Sequence, residues 1–312
     1  MQNILLSFGF IIVLGVAFRR LRPGGLGAAT LTRAINVTVL KVFLPALCIR
    51  TLYVSRIDTE AVLIPLSAGI TTLTALVLSV GVYRLFAKKM GLLPSETGVL
   101  VIGATFGNIT YLGLPVLTGL YGSEAAKYAL FYDLLSTTPL LWFIGVPVVA
   151  SYRHGRGPSL MESLRTVASL PPVWGILAGI ALNLLHVPIP QFMLKSLEML
   201  GSLVVPLMIF SIGLALSLPE VRHAFAIVPA VIIKLALVPL ISAASAVLLG
   251  LDGHALASCV IEGAMPTMVL SLLIAEELKL DVSLAAFLIV VTTILSFFTL
   301  QAAVYFTGYL VH

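Results

Sequence analysis

Residues 260–268 read VIEGAMPTM, in which a glutamate and a proline interrupt an apolar segment long enough to cross a bilayer. A carboxylate such as Glu262 is costly in hydrocarbon, so at this depth it usually faces a partner or a cavity. Pro266 removes a backbone hydrogen bond and leaves carbonyl groups that need new partners, such as a cation. The stretch therefore predicts a broken transmembrane helix with polar groups at the break, a pattern typical of membrane transporters.

The composition places the whole chain in a membrane. Of its 312 residues, 60% are hydrophobic and 10% are charged, and the mean hydropathy is +1.13, which leaves too little polar surface for a soluble fold. An apolar stretch of about 20 residues can cross the hydrocarbon core of a bilayer, about 30 Å thick, as a helix. We identify ten apolar windows, at 3–18, 31–52, 61–86, 97–120, 125–150, 170–187, 192–217, 224–249, 254–276 and 282–310.

Positive residues predict the orientation in the membrane, because they lie in alternate connections between the windows. They are Arg19, Arg20, Arg22, Lys88, Lys89, Arg153, Arg156, Arg165, Arg222 and Lys279. By the positive-inside rule these connections are cytoplasmic. We therefore expect a multi-pass protein of the inner (plasma) membrane with both termini on the non-cytoplasmic side. The formal charge of +5 then reflects topology and not binding to nucleic acid.

Paired prolines indicate an internal repeat. Pro45 and Pro206 have similar apolar neighbours, and Pro65 and Pro229 open later windows at nearly the same spacing; chance matching among 17 prolines is the alternative. The two halves and their connection are residues 1–152, residues 170–312 and the cytoplasmic connecting loop 153–169. Five crossings in each half force opposite orientations. The predicted fold class is an all-α integral membrane protein with ten transmembrane helices in two inverted five-helix repeats.

The repeat places Pro266 opposite GNITYLGLP, residues 107–115, so helices 4 and 9 are expected to be broken and to cross near the bilayer centre. Crossing half-helices present N-terminal amides to anions and C-terminal carbonyls to cations. Ordinary kinks are the alternative, since Gly and Pro are frequent in membrane helices, but the polarity at both breaks favours a site. The candidate substrate-binding residues are Asn108, Thr110, Tyr111, Pro115, Met265, Pro266 and Thr267.

Oxygen-bearing side chains near the two breaks suit a sodium ion, which prefers carboxylate, amide, hydroxyl and carbonyl oxygens. The candidate ligands are Glu262, Asn108, Thr105, Asp133, Ser136 and Thr137. As alternatives, hydroxyls in a span often bond only to the preceding turn, and Glu262 can carry a proton instead. Lys41 and Lys234 are intramembrane cations that either complement an anionic substrate or pair with a carboxylate.

The motif at residues 107–115, followed by Tyr121-Gly122, resembles the fourth-span signature of the auxin efflux carrier family. Leu44-Pro45, Met265-Pro266 and the polar run 292–296 extend the resemblance over the chain. The family implies an elevator mechanism, a homodimer through the panel and a small organic anion, a carboxylate or auxin-like acid, as substrate. It also implies a panel from 3–52 and 170–217 and a transport domain from 61–150 and 224–310.

The stretch from Ile261 to Thr267 is similar to the ninth-span motif of the bile acid sodium symporter family, in which the glutamate binds sodium. Many auxin-carrier relatives lack an acid here, so Glu262 favours ion coupling. We therefore predict a sodium-coupled secondary transporter in contact with membrane lipid and without another cofactor. A proton-coupled or uncoupled efflux carrier and a non-transporting membrane sensor are the alternatives. The sequence has no zinc-protease motif or nucleophile elbow, so an enzyme is not expected.

Overall fold

The computed structural model describes residues 2–21, 25, 27–152, 159–215 and 223–310. Within these ranges the chain is helical, and the one β-type pairing is an isolated antiparallel bridge between Gly107 and Thr267. The residues fall into two compact units. The all-helical character that the apolar windows predict is confirmed.

The first unit contains Met1–Asp58, Thr110–Leu130 and Val167–Leu216. Its helices include Gln2–Leu21, Ala28–Val54, Leu114–Tyr121, Pro171–Leu184, Gln191–Ser202 and Val204–Ala215. Asn183 holds two of them together, because its amide nitrogen donates to the carbonyls of Leu52, Tyr53 and Ser55 at 3.1, 2.7 and 2.9 Å. The end of one helix is thereby satisfied by a side chain from another.

The second unit contains Thr59–Ile109, Phe131–Thr166 and Ser217–His312. Its helices include Glu60–Phe86, Pro94–Thr105, the part of Ser123–Ala150 from Phe131 onward, Leu160–Ala168, Ala224–Leu248, Gly253–Gly263, Leu270–Glu277 and Val282–Leu310. Pro94–Thr105 is buried on every face from Glu96 onward, and Gly253–Gly263 is buried from Ala255 onward. Helices that are apolar all round lie inside a bundle, so these two helices form the centre of the unit.

Wide helical turns precede prolines along the described chain. The five π-helical turns are Val39–Phe43, Ile109–Gly113, Asp133–Thr137, Leu141–Gly145 and Ile233–Leu237, and each is followed two residues later by a proline, at positions 45, 115, 139, 147 and 239. Proline lacks an N–H and its ring crowds the carbonyl four residues earlier, so a turn with one extra residue accommodates it. Not every proline has this effect, since Pro65 lies inside the regular helix Glu60–Phe86.

Six helices in the described ranges are long and apolar enough to cross a membrane. The number is seven if the bent pair Leu160–Ala168 and Pro171–Leu184 is counted as one span. The predicted spans 97–120 and 254–276 are not continuous helices, because each is interrupted near its middle. The ten-span arrangement in inverted repeats remains a prediction.

The connection 153–169 is not a loop throughout, which corrects the prediction. Residues 153–158 lie outside the described part, and Leu160–Ala168 is a helix. Ser159 and Glu162 form a reciprocal cap at its start: the Ser159 backbone N–H donates to Glu162 Oε2 at 2.6 Å, and the Glu162 N–H donates to Ser159 Oγ at 3.2 Å. The spacing S-x-x-E is a known signal of a helix start, so the sequence contained this information.

The orientation in the membrane rests partly on residues that the structure does not describe. Arg22, Arg153, Arg156 and Arg222 lie outside the described ranges. The predicted placement of both termini on the non-cytoplasmic side therefore stays a prediction.

Candidate functional site

Two interrupted helices meet through their backbones in the centre of the second unit. The Asn108 N–H donates to the carbonyl of Pro266 at 2.8 Å, and the Met268 N–H donates to the carbonyl of Phe106 at 3.0 Å. These bonds flank the Gly107–Thr267 bridge. The backbone groups that both helices release at their breaks are thus partly satisfied by each other, as a buried irregular segment requires.

The sequence explains why each helix stops here. Pro266 cannot donate a backbone hydrogen bond, which favours the end of the helix at Gly263. Phe106, the residue after the helix Pro94–Thr105, is extended, with φ −95° and ψ 124°. A side chain at Gly107 would begin 3.2 Å from Lys234 Nζ and 3.5 Å from Met265 Cβ. Glycine therefore permits the close approach of the two breaks.

Thr267 fixes the pairing with its side chain and its backbone. Its hydroxyl donates to the carbonyl of Gly103 at 2.8 Å, and its N–H donates to Thr292 Oγ1 at 3.2 Å. Its hydroxyl and its N–H already have protein partners, and the predicted contact of Thr267 with substrate stays a prediction. In this structure it positions the break.

Replacing Thr267 by valine should lower the unfolding temperature of the detergent-purified protein, because the buried Gly103 carbonyl loses its donor. We expect a cost of about 1 kcal/mol or more. Thr118→Val is the matched control, since the Thr118 hydroxyl bonds only to carbonyls of its own helix, Leu114 and Pro115. Equal unfolding temperatures for the two variants would show that the Thr267 hydroxyl does not hold the breaks together.

Asn108 and Glu262 carry the main polar groups left at the breaks. Both side chains are almost completely buried, with 2% and 1% of their surface exposed. Of seven buried side-chain atoms without a hydrogen-bond partner in the described part of the chain, four are the amide atoms of Asn108 and the carboxyl oxygens of Glu262. Such groups cost free energy when nothing binds them, so these atoms are the candidate ligand-binding groups at the breaks.

Ser258 is a further candidate ligand that the sequence reading missed. Its buried hydroxyl also has no partner among the described residues. It lies four residues before Glu262 on the helix Gly253–Gly263, and this spacing puts both side chains on one helix face. The four-residue spacing between Ser258 and Glu262 could have identified Ser258 from the sequence.

The other predicted sodium ligands are buried in the same unit, and several have protein partners. Thr105 Oγ1 donates to the carbonyl of Val101 at 2.8 Å, and Thr137 Oγ1 donates to the carbonyl of Tyr132 at 3.2 Å. Thr137 shows the own-helix bonding that the sequence analysis gave as the alternative, whereas Thr105 Oγ1 also lies 3.4 Å from Ser79 Oγ on the helix Glu60–Phe86. Asp133 accepts a hydrogen bond from Thr138 Oγ1 at 2.8 Å and interacts electrostatically with Glu262. Of these three residues, Asp133 is therefore the one that interacts with the predicted ligand Glu262.

Ser136 belongs to the same wide turn as Asp133, and its hydroxyl faces Gly69 on the helix Glu60–Phe86. A side chain at Gly69 would begin 3.3 Å from Ser136 Oγ. The wide turn Asp133–Thr137, caused by Pro139, thus carries three of the predicted ligands. The position of this wide turn is set by the proline and not by the polarity of the three ligands.

The two intramembrane lysines differ in their surroundings. Lys41 is exposed on its wide turn, whereas Lys234 is 2% exposed. Lys234 Nζ donates to the carbonyl of Gly263 at 3.1 Å and interacts electrostatically with Glu262. The structure thus brings Lys234, and not Lys41, to the breaks in the second unit.

Among the remaining predicted substrate contacts, Met265 is fully buried next to Gly107. Thr110 and Tyr111 are half-buried on the wide turn after the first break, and Pro115 is buried near the start of the helix Leu114–Tyr121. These three residues group with the first unit.

A chain of buried hydroxyls runs beside the second break, and sequence reasoning missed it. Ser67 and Thr71 lie 2.8 and 3.1 Å from the Ser245 hydroxyl, and the Ser242 hydroxyl donates to the carbonyl of Cys259 at 2.7 Å. Tyr132 OH lies 3.4 Å from Ser242 Oγ. Single serines and threonines in apolar spans give no sign of their partners, because the partners come from three other helices.

Comparison with known proteins identifies the kind of protein. Residues 9–304 match the family described as membrane transport protein. An uncharacterized transporter of Methanothermobacter thermautotrophicus is 32% identical over 301 residues, which are 95% of this chain and 93% of that protein. An uncharacterized transporter of Methanocaldococcus jannaschii is 31% identical over 209 residues, 64% of this chain and 65% of that protein.

These matches confirm the resemblance to the auxin efflux carriers and the expectation that the chain is not an enzyme. The family match covers both interrupted helices and nearly all of the apolar segments. The chain belongs to the membrane transport protein family of auxin-efflux-carrier type and is a multi-pass membrane transporter.

Proposed function

We propose that this transporter is a secondary active carrier of a small organic anion, a carboxylate or an auxin-like acid, and that its transport is coupled to sodium. The observation that carries the proposal is that the buried side chains of Asn108 and Glu262 have no hydrogen-bond partner among the described residues and lie at two helix breaks that pair with each other. In many secondary transporters the substrate and coupling-ion sites are formed by interrupted helices of this kind.

Asn108 supports the anion part of the proposal. Its amide nitrogen can donate to a carboxylate oxygen, and helical turns begin directly after it at Ile109. Backbone N–H groups at the start of a helix are free to bind an anion. The Lys234 ammonium, which lies 3.2 Å from where a side chain at Gly107 would begin, adds a positive charge to the same region.

Glu262 supports the cation part. Its two free carboxyl oxygens, the free hydroxyl of Ser258 and the amide oxygen of Asn108 are hard oxygen donors of the kind that sodium prefers. With Glu262, Asp133 and Lys234 all ionised, the group has one negative charge in excess. One monovalent cation would neutralise it.

The wider arrangement is also a proposal, supported by the family. It comprises ten transmembrane helices in two inverted repeats, residues 1–152 and 170–312, in the plasma membrane. An elevator motion would carry the transport domain, 61–150 and 224–310, past a panel of 3–52 and 170–217 that also forms a homodimer. Most residues of each proposed domain group in one compact unit, whereas 110–130 group with the panel residues.

Sodium-dependent thermal unfolding tests the coupling. We expect sodium, compared with choline at constant ionic strength, to raise the unfolding temperature of the detergent-purified wild type by mass action. Glu262→Gln removes the charge but keeps the shape, so the sodium-specific increase should disappear. Glu198→Gln is the matched control, because Glu198 is half exposed and pairs with Lys195 at 3.4 Å on the surface.

The outcome also separates the alternatives. If sodium and choline act alike on the wild type, sodium coupling is wrong and a proton-coupled or uncoupled carrier takes its place. Organic anions should then be screened for binding and for uptake into proteoliposomes, in saturating sodium where sodium stabilises. An anion that binds but is never transported would favour the membrane sensor.

A further inference from the structure

Lys234 lies at both breaks, and the proposed function uses its charge without giving the reason for its position. It belongs to the wide turn Ile233–Leu237 that precedes Pro239, and 2% of its surface is exposed. Its ammonium donates to the carbonyl of Gly263 at 3.1 Å, and a side chain at Gly107 would begin 3.2 Å from it. Burying a lysine so deeply in a membrane protein is costly and usually reflects function.

The partner of the ammonium is a position at which a cation is expected. Gly263 is the last residue of the helix Gly253–Gly263, so its carbonyl belongs to the end of the helix that carries partial negative charge. At broken helices in transporters, such carbonyls coordinate the coupling ions. In this protein a covalently attached ammonium takes that position.

The charges around Glu262 lead to the same conclusion. Asp133 and Lys234 are buried in the same unit as Glu262, and their charges would act on it in opposite directions, Asp133 by repulsion and Lys234 by attraction. Neither carboxyl oxygen of Glu262 accepts a hydrogen bond from Lys234 or from any other described residue. The ammonium is bonded to the Gly263 carbonyl, and from there its charge offsets one of the two carboxylate charges. The Glu262 oxygens therefore stay available to another cation.

We propose that Lys234 is a built-in cation that fills a second cation position at the breaks, so that the carrier binds one monovalent cation per cycle where it would otherwise bind two. The first cation position, at Glu262, rests on the proposed function. The second, at the Gly263 carbonyl, rests on the placement of Lys234 alone. Removing the ammonium should open this position to a free ion.

Lys234→Gln tests the proposal, because glutamine fills part of the space and has no charge. Without sodium, the variant should unfold at a lower temperature than the wild type. In sodium above its dissociation constant, the slope of unfolding temperature against the logarithm of sodium concentration should roughly double, as two bound ions require. Lys41→Gln is the matched control, since Lys41 also lies on a wide turn but is exposed, and its slope should equal that of the wild type.

An unchanged slope in Lys234→Gln overturns the inference, whatever the stability of the variant. The result is separable from the sodium coupling of the wild type. If the wild type does not respond to sodium but Lys234→Gln does, the proposed coupling fails and the role of Lys234 stands. If Lys234→Gln does not fold, the double variant with Glu262→Gln removes both charges and should recover a folded protein. The position at the Gly263 carbonyl should then bind one sodium ion, so a double variant that does not fold, or that folds and shows no sodium-dependent rise in unfolding temperature, would overturn the inference.

Discussion

Asn108→Leu is expected to abolish transport while raising the thermal stability of the protein without substrate. The amide of Asn108 is buried and has no partner in the described part of the chain, so the folded state bears the cost of its desolvation. That cost is about 1–3 kcal/mol for an unsatisfied polar group. Leucine has the same branching and the same number of side-chain heavy atoms and removes the cost, but it cannot donate to or coordinate a cargo.

Thermal unfolding and uptake into proteoliposomes check the two parts of this prediction. Asn183→Leu is the opposite case, because the Asn183 amide donates to three carbonyls. We expect Asn183→Leu to lower the unfolding temperature, since three acceptors lose their donor. If Asn108→Leu is also destabilised, the Asn108 amide is already hydrogen-bonded in the protein without substrate, and the prediction is wrong.

Local chemistry explains what the sequence predicted well. Pro266 favours a helix end, because the missing N–H and the ring are properties of the residue itself, although Pro65 shows that a long helix can continue past a proline. A glutamate in an apolar run indicates function whatever its neighbours are. The interruptions near Asn108 and Pro266, and the burial of Glu262, therefore followed from the residues alone.

The partners of these groups could not be predicted in the same way. That Lys234 reaches the carbonyl of Gly263, and Thr267 that of Gly103, depends on how helices distant in sequence pack against each other. Lys41 and Lys234 look alike in sequence, since each is a lysine in an apolar span a few residues before a proline. Only the packing places one at the breaks and leaves the other exposed.

The wide turns are an intermediate case. Each lies directly before an X-Pro pair, so the proline was a usable signal, but Pro65 has no such turn. Whether a helix widens depends on whether its surroundings accept the extra residue. The three predicted ligands on Asp133–Thr137 were therefore placed by a backbone feature that composition could not indicate.

Gly213→Ala should have the largest effect on stability, and it acts in the first unit. Gly213 on the helix Val204–Ala215 faces Gly15 on the helix Gln2–Leu21. A side chain at Gly213 would collide with the carbonyl oxygen of Ile12 and would lie 2.9 Å from Gly15 Cα. Both obstacles are backbone atoms, so no side-chain rotation relieves the contact.

The two helices must therefore separate, and the dispersion contacts along their whole interface weaken. In membranes, where helices associate through close packing of small residues, this loss is not offset by a hydrophobic gain. Overpacking costs about 1–3 kcal/mol in well-packed interiors, and we expect the upper end of this range, seen as a large drop in unfolding temperature.

Gly81→Ala is the matched control, since Gly81 lies inside the helix Glu60–Phe86 with nothing within 4 Å of the added carbon. Its unfolding temperature should stay equal or rise, because alanine favours helix over glycine. Equal values for Gly213→Ala and the wild type would mean that these two helices do not touch backbone to backbone.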